Sequence, residues 1–337
     1  MTRTHGILPC QAIEALIANG DIVATHPFAE NQVQPASLDL RLGRRAWRVR
    51  ASFLPRLTGS VSERIADVAM HELDLSAGAV LERGCVYIAE IQERLALPGD
   101  IAARANPKSS TGRLDVFVRV LTDGQPAFDD IASGYRGPLY LEIAPQTFSV
   151  LARTGTRLSQ LRLKRGEAST LAVRSIGVDL TGEVAGFRAR RHAGVIDLDR
   201  VGAYDPRDFW EALTARRGEL LLDPGEFYIL ASKEQIEIPV DQAAEMTPID
   251  PTVGEFRVHY AGFFDPGFGS AEAGGEGSRG VLEVRSHETP FLLEDGQAVA
   301  RLVYEPLSAK PSRFYGAGGS HYQRQGLRLS KHFAAET

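Results

Sequence analysis

One constant offset constrains this chain more than any other feature. "ERGCVYIAEIQERLALPGD" (82–100) aligns with "DPGEFYILASKEQIEIPVD" (223–241), pairing Gly84 with Gly225, Tyr87 with Tyr228 and Pro98 with Pro239, each 141 positions apart. The same shift relates Pro107 to Pro248, Glu142 to Glu283, Gly155 to Gly296 and Leu161 to Leu302. Upstream, "ASLDLRLG" (36–43) answers "IGVDLTGE" (176–183), with Asp39 and Asp179 offset by 140. Self-similarity at a fixed period marks a duplicated structural unit. The 337 residues suffice for two domains, each with its own core. The polar stretch "KRGEAST" (164–170) is the expected junction, giving a first repeat over 1–166 and a second over 167–337.

Within each repeat the strongest local signals are short β-branched or aromatic runs bounded by turn residues: "CVYIAEI", "RLDVFVRVL", "PLYLEIA", "EFYILAS", "FRVHY", "GVLEVRS" and "AVARLVYE". Helical pattern is confined to 9–19 and to 206–217, where Asp205 is the expected N-cap, Pro206 the N1 proline and Gly218 the stop. Many short strands and few helices predict a mainly β fold, a sandwich or barrel in each repeat.

Composition narrows the function classes. Hydrophobic residues at 43% and charged residues at 24% are those of a folded globular chain. The net charge of −5 gives no global field toward nucleic acid, so a polyanion would have to be met by local basic groups. Two lone cysteines, Cys10 and Cys85, form neither a disulfide framework nor a thiol zinc site and suit a reducing, cytoplasmic setting. With no run of about 18 apolar residues, no membrane contact is expected.

Two stretches concentrate chemistry. In "KSSTGR", Ser109 and Ser110 offer hydroxyl donors, Lys108 and Arg113 offer charge, and Gly112 permits close approach, a set suited to phosphate oxygens. A polar turn before a strand is the competing reading. In "GYRGPLYLEI", period-2 alternation puts Leu139, Leu141 and Ile143 on one face and Tyr140 and Glu142 on the other. Glu142 either meets water or lines a cavity where it can exchange protons.

The order "ASLDLRLG", "KSSTGR", "GYRGPLYLEI", "TGTRLSQLRL" resembles the dCTP deaminases, relatives of the trimeric dUTPases. The second repeat continues the likeness with "FFDPGFG", "GVLEVRS" and "LEDGQAVARLVYEPLS", and "RFYGAGGSHYQRQGLRLSKHF" resembles the tail that closes over the nucleotide. The resemblance implies two tandem dUTPase-like distorted β-barrels and a homo-oligomer. It implies hydrolytic deamination of dCTP to dUTP with Glu142 as general base and with Ser109 and Arg113 as catalytic groups. Lys108, Ser110, Tyr135, Tyr315, Tyr322 and Gln325 would bind substrate. Mg²⁺ would enter with the triphosphate, and zinc is not expected, because the H-x-E and P-C-x-x-C signature of the zinc deaminases is missing.

Neither repeat matches the family pattern fully. Where an Asp-Pro-Gly-aromatic turn is usual, the first repeat has Ala132 at the aspartate position and Tyr135 at the aromatic one, with Asp129 and Asp130 in an apparent insertion. The second keeps Asp265, Pro266, Gly267 and Phe268 and keeps Glu283, but has "TPIDPT" in place of the serine pair. Two arrangements stay open: a catalytic first repeat with a scaffolding second, or a composite site that includes Asp265 and Glu283. A dUTPase-type pyrophosphatase, an enzyme performing both steps to dUMP, and a silent nucleotide sensor are the rival functions.

Overall fold

The computed structural model describes residues 5–55, 58–167, 169–249, 256–259 (backbone), 262–286, 288–316 and 325–335. The chain forms two compact units. The first comprises Met1–Ser169, Val195–Arg200 and Pro306–Arg313; the second comprises Thr170–Gly194, Val201–Glu305 and Phe314–Thr337.

The first unit is built on a ten-stranded sheet with the path Val116–Leu121, Arg136–Pro145, Val86–Ala96, Leu38–Val49, Arg157–Arg165, Ile101–Pro107, Asp130–Ile131. Ile101–Pro107 also packs against Val116–Leu121, so the sheet curls nearly into a barrel, the arrangement that protects edges in antiparallel folds. Alternation puts Leu139, Leu141 and Ile143 on one face, and both faces of this strand are covered, since Tyr140 and Glu142 are buried as well. The helix Cys10–Ala18 starts after Pro9, as its sequence predicts, and buries Cys10, Ile13 and Leu16. A second helix, Val61–Val68, was not predicted. It carries a full capping box between Ser60 and Glu63.

In the second unit, a five-stranded sheet runs Trp210–Leu213, Gly186–Ala189, Phe227–Ile236, Ser278–Ser286, Phe256–His259, and a four-stranded sheet centres on Ala298–Pro306. Leu230, Leu282 and Val284 of the first sheet and Ile176, Val299 and Leu302 of the second share one apolar cluster. The helix expected over 206–217 is only Pro206–Phe209. Its start is as predicted, with the Asp205 side chain accepting from the Arg207 N–H at 2.9 Å. It ends early because Trp210–Leu213 pairs with Gly186–Ala189, while Phe209 and Trp210 pack edge-on against Phe333. Sheet pairing and aromatic burial outweigh a weak local helix preference over so short a stretch.

The strand register repeats with the sequence. Leu141, Glu142 and Ile143 face Ala89, Ile88 and Tyr87. Leu282, Glu283 and Val284 face Leu230, Ile229 and Tyr228, every residue 141 positions on. Each facing tyrosine closes the same corner: the Glu82 N–H donates to the Tyr87 hydroxyl at 3.0 Å, and the Asp223 N–H to that of Tyr228 at 2.8 Å.

Candidate active site

Glu142 is 1% exposed and sits in mid-strand between two neighbours, opposite Arg119 on one and Ile88 on the other. Arg119 donates to its Oε1 from Nε at 3.0 Å and from Nη2 at 2.5 Å, and the Ser52 hydroxyl donates to its Oε2 at 2.6 Å. Arg119 also donates to the Ser52 Oγ at 2.9 Å, closing a three-membered network. Phe128 lies under the guanidinium, 3.5 Å from ring centroid to Cζ, and Phe117 is a second cation–π partner at 4.7 Å. This face of the sheet is roofed by Phe53, Val61, Ile65 and Val68, which cluster with Ile88, Leu121 and Tyr140. The Val61 N–H donates to Asp123 at 2.7 Å and pins the helix in place.

Beside this network lies Asp129, a non-glycine residue at φ 62° whose carboxylate accepts from the Val120 N–H at 2.7 Å. Burial pushes its pKa up to about 7, against the pull of that hydrogen bond and of Arg119 and Arg104. Sequence reasoning noted Asp129 only as part of an insertion. It missed Ser52 and Arg119; the charge inside the apolar run "VFVRVL" was the available signal for Arg119, and nothing local marks Ser52.

The serine cluster folds as a single helical turn, Ser109–Gly112. Ser110 and Arg113 are buried, and Ser109 is half-buried. The Thr111 and Gly112 N–H groups are used within the turn, both donating to the Lys108 carbonyl. Lys108 itself is ion-paired to the buried Asp39, which Arg157 also approaches at 3.4 Å. The hydrogen bonds of Glu142 go to Ser52 and Arg119, so the first unit by itself does not bond this carboxylate to Ser109, Ser110 or Arg113.

The two aromatic turns superimpose in their bonding. Tyr135 donates its N–H to the Ala132 carbonyl and accepts from Leu97 N–H on its own carbonyl; Phe268 does the same with Asp265 and Ile238. Gly134 (φ 74°) and Gly267 (φ 91°) supply the left-handed residue that each turn needs. Tyr135 then folds back: its hydroxyl donates to the Pro138 carbonyl at 2.8 Å, and a Cβ on Gly137 would come within 2.5 Å of it. Burial pushes this phenol up to about 12.

In the second unit Glu283 is 5% exposed and Asp265 7%. With Leu282 and Val284 in the core cluster, alternation turns Glu283 to the opposite face of its sheet. Tyr315 packs edge-on against Phe268, centroids 5.3 Å apart, and donates its N–H to the Pro266 carbonyl at 2.8 Å. Gln325 is buried and pairs twice with the backbone of Arg279, through Nε2 to its carbonyl at 2.9 Å and through its own carbonyl to the Arg279 N–H at 3.0 Å. Tyr322 lies outside the described residues.

Comparison with protein families gives two matches: the N-terminal domain of 2'-deoxycytidine 5'-triphosphate deaminase over residues 4–167, and the C-terminal domain of the same family over 153–333. The chain belongs to the dCTP deaminase family. A crystal structure of the 2'-deoxycytidine 5'-triphosphate deaminase from Agrobacterium tumefaciens is 54% identical with a TM-score of 0.87, covering 90% of this chain and all of that one. Among its relatives, the dCTP deaminase of Natronomonas pharaonis is 34% identical over 160 residues, 46% of this chain and 78% of the relative. A Beutenbergia cavernae protein named "dCTP deaminase, dUMP-forming" is 31% identical over 156 residues, 46% of this chain and 77% of that one. As a member of the dCTP deaminase family the chain is an enzyme, and the distorted β-barrel expected from the resemblance is the observed fold. Among the described residues no helix is long and apolar enough to cross a membrane.

Proposed function

We propose that this enzyme converts dCTP and water to dUTP and ammonia. A glutamate at the Leu-Glu position of the repeat takes a proton from water as its oxygen attacks C4 of cytosine. The C4–N4 bond then breaks as the proton held on the carboxylate passes to the departing nitrogen, and the remaining hydroxyl proton moves to N3, leaving the C4 carbonyl of uracil. Positioned acid–base chemistry of this kind contributes about 10² to 10⁴ in rate. The supporting observation is a buried carboxylate at the same strand register in both repeats of a dCTP deaminase family chain.

Ser109, Ser110 and Arg113 supply hydroxyl and guanidinium donors, which fit phosphate oxygens or a developing negative charge. These groups do not fit a cation, so Mg²⁺ enters with the substrate, carried on the triphosphate. Lys108, tied to Asp39, and Tyr135, tied to its own turn, shape the surroundings of these groups. No zinc is assigned to the reaction, because the zinc-deaminase signature is missing from the sequence. The working form is proposed to be a homo-oligomer.

Ammonia release from dCTP with Mg²⁺, followed by a coupled assay, tests the proposal: stoichiometric ammonia and dUTP are expected, and binding without ammonia would contradict it. A second reading, continuation to dUMP, is motivated by the intact Asp265–Phe268 turn and by the dUMP-forming relative. Pyrophosphate appearing together with ammonia would favour it.

A further inference from the structure

Glu142 is held tightly within its own repeat. Both oxygens of Glu142 already accept hydrogen bonds, Oε1 from two nitrogens of Arg119 and Oε2 from Ser52. An apolar roof of Phe53, Val61, Ile65 and Val68 covers the face on which it lies. A carboxylate that is to deprotonate water needs a lone pair directed at that water, and space for the pyrimidine beyond it. Here a water would have to displace the arginine or the serine from the carboxylate. The covering helix differs between the repeats. In the first it has eight residues, Val61–Val68, and runs into the strand Ala69–Asp74; the corresponding helix, Pro206–Phe209, has four and runs into Trp210–Leu213.

The features of the turn and the tail gather instead on the second repeat. Of the two turns, the one that retains a carboxylate is Asp265–Phe268, where the first repeat has Ala132. The carboxyl-terminal segment docks there at two described points: Tyr315 on Phe268 and Pro266, and Gln325 on Arg279. Arg279 belongs to Ser278–Ser286, the strand that carries Glu283. Tyr315 is therefore tied to the turn and Gln325 to the glutamate strand of one and the same repeat.

We propose that Glu283 is the catalytic base, and that Glu142, with Arg119 and Ser52, forms a structural ion-pair network. This rests on the deaminase reading. It moves the base from the position that the sequence favours and gives the duplicated barrel a division of labour, one glutamate for chemistry and one for packing.

The test measures ammonia release and dCTP affinity on the full-length protein. Glu283→Gln is expected to lower kcat by about 10³, within the range for a lost general base, and to leave dCTP affinity by calorimetry within about threefold. Replacing both members of the buried pair, Arg119→Met with Glu142→Leu, avoids stranding a charge and is expected to keep kcat within about threefold of wild type. Glu142→Gln, which keeps shape and an acceptor for Arg119, is the second variant if the double replacement misfolds, with the same expectation. Full turnover by Glu283→Gln overturns the proposal, as does loss of turnover in a folded Glu142 variant that still binds dCTP. A wild-type protein that releases no ammonia overturns the deaminase reading itself, a result distinct from either of these.

Discussion

Arg119 grips Glu142 through two guanidinium nitrogens across adjacent strands, with the carboxylate 1% exposed and a phenylalanine ring beneath the arginine. Such a pair costs desolvation when it forms, yet it costs more to break from one side, because the remaining charge is left in an apolar setting. Arg119→Ala should therefore destabilise the protein by about 3 kcal/mol, at the lower end of the range for one-sided breakage since the arginine is partly exposed. Equilibrium urea unfolding reads this directly. A midpoint unchanged from wild type would show that the network carries no structural load.

Asp129 makes stability depend on pH. Its folded pKa of about 7 lies above the ordinary value of 3.8, so between those limits the folded chain holds a proton that the unfolded chain has released. The contribution is fully present below about pH 4 and is lost as pH rises through about 7. Asparagine tolerates the positive φ of this residue and still accepts from the Val120 N–H. Comparing urea midpoints at pH 5 and pH 8, wild type should lose more stability toward pH 8 than Asp129→Asn does. Parallel losses in the two proteins would contradict this.

The Tyr87 and Tyr228 corners should respond alike. Each hydroxyl accepts from a backbone N–H five residues earlier, and removing it leaves that donor without its bond. Tyr87→Phe and Tyr228→Phe are each expected to lose about 1 kcal/mol, the usual net value of such a bond. Thermal unfolding of the two variants checks both magnitude and symmetry. A large difference between them would mean that the repeats use the corner differently.

Tyr315 tests the tail. Its ring meets Phe268 at 5.3 Å, an edge-to-face contact of the kind worth about 1 kcal/mol. Tyr315→Ala, and removal of all residues after Arg313, should raise KM for dCTP several-fold or more, with the truncation the stronger of the two. Steady-state kinetics decides it, and an unchanged KM would remove the tail from nucleotide binding.

What could be read from the sequence was whatever depends on periodicity or on a short motif. The 141-residue offset reappears in strand register, "PLYLEIA" and "GVLEVRS" are the two glutamate strands, and Asp205 caps its helix. The capping-box signature Ser60-x-x-Glu63 was also present in the sequence and passed unused, which hid the roof over Glu142. Long-range partners stayed hidden for a physical reason. Ser52 lies 90 positions from Glu142 and Asp39 lies 69 from Lys108, and both contacts depend on tertiary packing that no local pattern encodes. The expected helix over 206–217 failed in the same way, because Trp210 is worth more in an aromatic cluster and a sheet than in a helix.

The central claim is that this chain deaminates the cytosine of dCTP. Time-resolved proton and phosphorus NMR of dCTP with Mg²⁺ and the wild-type protein follows base and triphosphate in one tube. Cytosine H5 and H6 signals are expected to give way to those of uracil while ammonium accumulates, with the three phosphate resonances intact. Cytosine signals that persist with active, dCTP-binding protein would contradict it.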